Sequence, residues 1–358
     1  MTRWFFTASP SLRSDRISTP FRQRGRAWLR VVFVVFVLAL AVAAATAYLD
    51  YRRFGDGPIT SAAATVDVPR GATIPAIAAS LEAQPSPTRV LYWRILAREL
   101  GVAGKLHAGE YALDAGMTPR SLLLKMAAGE VIQHRFTIVE GWTFAQLRDA
   151  LAHDGLLAQT LANVDETEIM RRLDAADMAA EGQFLPETYS YVKGMSDLDI
   201  LRRAHDALRK ALDKTWAEHD ADSPLSSGYQ ALTLASIVEK ETARADERPQ
   251  IARVFLHRLE LGMKLQTDPS VIYGLGSAYD GKIHRRDLDT DTPFNTYTRT
   301  GLPPTPIAMP GKAALEAVAH PAETSALYFV ARGDGSHEFS ATLEAHNLAV
   351  AKYQLHRN

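Results

Sequence analysis

Apolar residues fall into three patterns along the chain, and each predicts a different kind of element. From Val31 to Leu49 they run through VVFVVFVLALAVAAATAYL without a charge. At about 1.5 Å per residue such a run makes a helix of about 28 Å, close to the hydrocarbon thickness of a bilayer. The pattern predicts a membrane span over 31–49. A cleaved signal peptide is the alternative, because Ala43-Ala44-Ala45 offers a small-x-small site; its apolar region is normally only about 7 to 15 residues. Residues 50–65 are small, polar and turn-forming, without a sustained period, and predict a linker.

Beyond Val66 short alternating runs mix with helical ones. Val66-Asp67-Val68 alternates as a strand does, and Ile74 to Leu81 and Pro87 to about Leu100 carry helical spacing. A second alternating stretch follows at Gly109 to Leu113, then a helix from Pro119 to Ala128 closed by Gly129. Strand, helix, helix, strand describes a small α+β module over 66–132. Similar grammar restarts with a strand through Phe136 to Val139, the turn Glu140-Gly141 and a helix from Thr143 to His153. The two stretches form a weak internal repeat or coincide by chance. With the long amphipathic helix Leu198 to Trp216 the later stretch makes a second α+β region, 133–226, before a C-terminal domain of mixed α/β type over 227–358. The fold class is α+β.

The third pattern is a helix whose apolar face carries an acid. Tyr229 to Arg244 reads YQALTLASIVEKETAR. At about 100° per residue, Glu241 shares a stripe with Leu234, Ile237 and Val238, and Glu239 lies roughly 160° away. A carboxyl on the apolar stripe near the negative end of a helix should have a raised pKa, which suits a general acid working near neutral pH. The competing reading has Glu241 reaching solvent or pairing with Arg244 or Arg248. Glu239 and Lys240 read as a solvated or ion-paired surface. The next helix, Pro249 to Leu261, reads as scaffold.

Polar loops follow. Gln266-Thr267-Asp268 precedes Pro269, either as a sugar-holding cluster or as the cap of a helix starting there. Asp291 to Tyr297 and Gly301 to Pro306 form a long proline-stiffened stretch, more typical of a functional loop than of a connection. Ala326 to Val330 and His337 to Ser340 predict an antiparallel pair closing the domain.

Charge and composition sharpen the picture. The formal net charge is −1, but residues 1–30 carry seven arginines against Asp15, so that segment holds +6 and the rest −7. The positive-inside rule keeps the basic end cytoplasmic and places the acidic body outside. An acidic body argues against a phosphate-backbone binder, hence no nucleic acid. Without cysteine there is no disulfide and no thiolate metal site. The histidines lack an HExxH spacing, and there is no GxGxxG, P-loop or GxSxG, so neither a metal nor a cofactor is expected.

The motifs Leu234 to Thr242, Leu265-Gln266-Thr267-Asp268-Pro269, Tyr273-Gly274, Asn295-Thr296-Tyr297, Gly301-Leu302-Pro303-Pro304, Pro310-Gly311 and His320-Pro321 resemble, in order and spacing, the YceG-like family of endolytic murein transglycosylases. The resemblance extends upstream through Gly109-Glu110-Tyr111, Glu140-Gly141 and Phe184 to Tyr189, and omits only the arginine-rich tail. It implies an enzyme on the inner membrane, its catalytic part periplasmic. Its action would be to cut inside nascent glycan strands at the MurNAc-GlcNAc β-1,4 bond, leaving 1,6-anhydro-MurNAc ends. It also implies that the α+β module is LysM-like and that the enzyme accompanies peptidoglycan synthases. Glu241-Thr242 is similar to the Glu-Ser pair of other lytic transglycosylases, making Glu241 catalytic. Gln266, Thr267, Asp268, Tyr273, Asn295 and Tyr297 would bind substrate. Two rivals are a non-catalytic peptidoglycan-binding scaffold and a hydrolytic muramidase.

Overall fold

The computed structural model describes Met1 and residues 21–60, 62–69, 71–81 and 86–355, so most of the basic tail expected over 1–30 lies outside the described residues. The chain divides into two compact units, Met1–Glu130 and Val131–Asn358.

The first unit opens with helix α1 (Phe21–Asp56). Its apolar stretch from Trp28 onward has the length and hydropathy of a membrane span and is unburied, with Phe33, Phe36 and Leu40 all exposed. That is compatible with a single-pass anchor. The linker expected over 50–65 is shorter than predicted. The helix runs on to Asp56, because its end has partners: Phe54 packs edge-on against Trp93 at 5.3 Å and Asp56 takes Arg120 at 3.3 Å. Strand β1 (Ala64–Val68) then pairs antiparallel with β2 (Gly109–Leu113), from Ala64 opposite Leu113 to Val68 opposite Gly109. Helices α2 (Ile74–Leu81) and α3 (Pro87–Glu99) lie between the strands in sequence, in the predicted order. Helix α4 (Pro119–Ala128) has the predicted ends: Thr118 and Ser121 cap each other's backbone, and Gly129 turns left-handed at φ 69°. Trp93, Leu96, Tyr111, Leu122 and Leu123 fill the core.

In the second unit, β3 (His134–Thr137) pairs antiparallel with β4 (Thr188–Tyr191), and α5 (Phe144–His153) and α6 (Glu166–Arg172) lie between them in sequence. The turn before α5 is left-handed at Gly141, and Thr143 caps the helix with Gln146. Helix α7 (Asp197–Ala217) leads to α8 (Gly228–Glu241), α9 (Arg248–Glu260), α10 (Asp268–Leu275), α11 (Arg285–Asp289) and α12 (Lys312–Ala319). Strands β5 (Tyr328–Ala331) and β6 (His337–Ser340) form the predicted antiparallel pair, followed by α13 (Leu343–Val350).

The regions read as 133–226 and 227–358 pack within this one unit. Phe184 belongs to a core built on β3, α5, α6 and β4, and its neighbour Leu185 to the core of α8, α9 and α12. Between them the chain passes so close to Pro306 that a side chain at Gly182, whose φ is 77°, would lie 2.4 Å from it. Helix α8 is the centre of the second core: Leu232, Leu234, Ile237 and Val238 are fully buried. Each such side chain contributes about 1.5–3 kcal/mol of apolar burial.

Candidate active site

Helix α8 stops at Glu241 because Thr242 turns to extended backbone, φ −146° and ψ 138°. Its carboxyl is therefore the last helical side chain, at the negative end of the dipole, where charge on an acid is disfavoured. The helix is buried on all sides from Ala231 to Val238, so its two acids do not divide into a core face and a surface face. Glu239 is a correction to the sequence reading: its side chain is only 5% exposed, paired with Arg248 at 3.2 Å and accepting the Gly311 N–H at 3.0 Å. Lys240 is the exposed member of the pair.

Glu241 opens onto a cleft of about 530 Å³. Its pKa is pushed up to about 7, first by burial and then by Asp268, against the Thr267 hydroxyl, His337 and Arg258, which favour the carboxylate. Neither Arg244 nor Arg248 neutralises it: Arg244 binds Asp246 at 2.6 Å, and Arg248 is held by Glu239. The hydroxyl on Glu241 is that of Thr267, which donates to Oε1. The Thr242 hydroxyl accepts the Arg244 N–H in the turn.

The segment before α10 presents three neighbouring side chains in different directions. Gln266 holds a left-handed φ of 52°, an unfavourable conformation for a residue with a Cβ, and its N–H donates to the Thr296 carbonyl at 3.1 Å. Thr267 is buried and takes the Thr296 hydroxyl on its own N–H at 3.0 Å, while its side chain is left for Glu241 rather than capping α10. Gln266 and Asp268 line the cleft, as does Tyr297, whose hydroxyl donates to Asp268 at 2.6 Å. Gln266, Thr267, Asp268 and Tyr297 are thus gathered around Glu241.

Two expected substrate contacts lie elsewhere. Asn295 is buried, and its Nδ2 donates to the carbonyls of Asp287, Leu288 and Thr290 while Oδ1 accepts the Tyr297 N–H at 2.9 Å. It ties the loop that presents Tyr297. Tyr273 stands edge-on to Phe294 at 4.8 Å in a separate cavity of about 770 Å³, facing Glu181. Burial pushes Glu181 up to about 7, against hydrogen bonds from Phe144, Tyr273 and Gly182.

Two cleft residues escaped the sequence reading. Arg258 projects from α9, the helix read as scaffold, and is buried with Nε on the Leu327 carbonyl at 2.8 Å and Nη1 on Leu265 at 2.8 Å. It stacks over Tyr328 at 5.3 Å. His337, from the strand read as closure, also faces the cleft. Among the described residues no group of histidine and carboxylate side chains has the arrangement of a metal site.

This arrangement offers a proton donor near neutral pH, a hydroxyl that orients it, and a wall of carboxylate, phenol and guanidinium groups. The YceG-like family model matches residues 66–352. The chain belongs to the YceG-like family. A Bacillus subtilis member named endolytic murein transglycosylase is 30% identical over 310 residues, covering 82% of this chain and 85% of the relative. A Streptococcus pneumoniae protein of the same name is 28% identical over 368 residues; the match takes in 91% of this chain and 65% of that longer relative. Among solved structures, a crystallised YceG-like protein of Listeria monocytogenes aligns with a TM-score of 0.51 at 30% identity, over 81% of this chain and 99% of that one.

Proposed function

We propose that the protein is an endolytic peptidoglycan lytic transglycosylase that cuts the MurNAc-GlcNAc β-1,4 bond within nascent glycan strands. The observation that carries this reading is the Glu241 carboxyl, raised to about 7 and open to a cleft. Glu241 gives its proton to the glycosidic oxygen as the bond to the anomeric carbon breaks. The resulting carboxylate, steadied by the Thr267 hydroxyl, takes the proton of the sugar's own C6 hydroxyl as that oxygen closes on the anomeric carbon. The attacking hydroxyl is carried by the ring itself and enjoys a high effective molarity, so one acid serves both halves. Gln266, Asp268 and Tyr297 position the sugar and the developing positive charge.

A second carboxylate in the same cleft, Asp268, supports a hydrolytic reading, since two flanking carboxyls are what a glycosidase uses to engage water. Digestion of peptidoglycan in heavy-oxygen water separates them. Anhydro ends without incorporated label support the transglycosylase; labelled reducing ends require the muramidase; binding without new ends requires a scaffold.

The first unit serves this activity as an anchored, LysM-like glycan-binding module. Its strand-helix-helix-strand order supports that role, as does a cavity of about 510 Å³ between the turn at Gly71–Pro75 and the loop at Ala103–Leu106. The arginine-rich end lies in the cytoplasm, the remainder in the periplasm beside the synthases whose strands it trims.

A further inference from the structure

His337 lies on the wall of the Glu241 cleft and is gripped from behind by a carboxylate. Glu247, at the start of α9, accepts the His337 backbone N–H on Oε1 at 2.9 Å and meets ring Nδ1 with Oε2 at 2.7 Å. The two side chains are only 14% and 8% exposed. One carboxylate thus fixes the backbone and the ring together, and turning the imidazole breaks the second bond. The proton in that bond sits on Nδ1, so Nε2 is the nitrogen left for the cleft, and no described side chain or backbone group hydrogen-bonds to it.

We propose that His337 is a positioning residue for Glu241: pinned by Glu247, its imidazolium steadies the Glu241 carboxylate formed once the proton has been given away. It thereby sets the pH above which Glu241 stops serving as acid. The inference rests on Glu241 being the proton donor.

The neighbouring charges leave this task to His337. Arg258 also favours the Glu241 carboxylate, but its guanidinium is committed to the Leu327 and Leu265 carbonyls. Asp268 opposes both and is bonded by Tyr297. Arg244 is shared between Asp246 and Glu247, Arg332 is paired with Glu338 at 2.7 Å, and His346 stacks on Tyr328, with burial and Arg258 disfavouring its charged form. Among the described basic groups on the wall, His337 is the one held by a carboxylate.

The test is the pH profile of kcat/KM for the full-length protein in detergent, acting on uncrosslinked glycan strands. In His337→Asn the side-chain amide keeps a donor for Glu247 but loses the charge, and the alkaline limb should move up by about half a pH unit or more. Glu247→Gln should move it the same way by less, and serves if the first variant is poorly folded by circular dichroism. A limb that stays in place in folded variants, whatever happens to the maximal rate, would reduce His337 to a structural residue. Glu241→Gln, run alongside, separates the two readings: if it remains active, the donor assignment is lost; if it is dead while the limbs do not move, only the His337 inference falls.

Discussion

Glu239 Oε1 lies 3.2 Å from Arg248 Nη2, joining α8 to α9 through a buried ion pair close in sequence to Glu241 but outside its cleft. The pair is part of a small cluster. Gly311 donates its N–H to Glu239, and a Cβ there would lie 2.0 Å from Glu140 Oε1, so that carboxyl would have to swing aside. Glu140 is itself 3.8 Å from Arg248.

Glu239 is therefore structural. Glu239→Ala should cost about 3 kcal/mol in chemical denaturation, since it leaves a buried guanidinium short of its nearer partner and empties its own volume. Glu239→Gln keeps the acceptor for Gly311, and Arg248 retains Glu140, so it should lose less stability and still release glycan fragments. An inactive but fully folded Glu239→Gln would place the chemistry on the wrong glutamate.

Glu241→Gln should remain folded and lose turnover by about a thousandfold or more. It should also change the pH dependence of stability. A carboxyl whose pKa rises from 4.5 to about 7 on folding holds its proton in the folded chain where the unfolded chain has released it. Stability then falls as pH climbs through that window and levels off above it, by on the order of 3 kcal/mol. Glu181, also pushed up to about 7, adds a share of the same sign. Denaturation across that window should therefore show a shallower slope in Glu241→Gln than in the parent, and an unchanged slope would contradict the burial of this acid.

The local elements were legible because their signals are local. The ends of α4 follow from Thr118, Pro119 and Gly129, and the start of α5 from Thr143, each needing only its neighbours. The cleft-facing acid was legible for a partly mistaken reason: α8 is buried all round from Ala231 to Val238, and Glu241 is distinguished by what faces it rather than by its stripe. Arg258 was hidden because a cation in the last turn of a helix is what the dipole alone would favour. His337 was hidden because its carboxylate partner is 90 residues away in sequence. Asn295 and Tyr273 carry polar atoms suited to sugars, and only tertiary structure shows those atoms directed at backbone carbonyls and at another cavity.

That separation predicts a contrast between two tyrosines. Tyr297→Phe removes the hydroxyl bonded to Asp268 in the cleft and should lower kcat/KM by roughly tenfold, the scale of one hydrogen bond to a charged group. Tyr273→Phe removes a hydroxyl facing Glu181 and should leave cleavage near the parent level. Steady-state rates on the same glycan preparation decide it, and equal losses would mean that the two cavities serve one bound strand.

Asn295→Asp probes the loop behind Tyr297. The amide donates to three carbonyls, at 3.1, 3.0 and 2.6 Å, and a carboxylate would turn these contacts into repulsions in a buried site. A loss of about 3 kcal/mol is expected. The lesion should be partly relieved at low pH, where the protonated acid again has a hydrogen to give. Melting measured at two pH values tests this, and a pH-independent loss would point to packing instead.

Thr267→Val isolates the hydroxyl on Glu241. Valine has nearly the same shape, so the buried position should stay filled, while Oε1 loses its only described side-chain donor. That donor favours the carboxylate, the form on which the second proton transfer depends. Its removal should lower kcat by about tenfold with little change in KM, because the bond matters when charge appears on Glu241 rather than when sugar binds. Thr267→Ser keeps the donor and should recover most of the rate. If Ser and Val are equally impaired, the methyl group and not the hydroxyl is what the site requires.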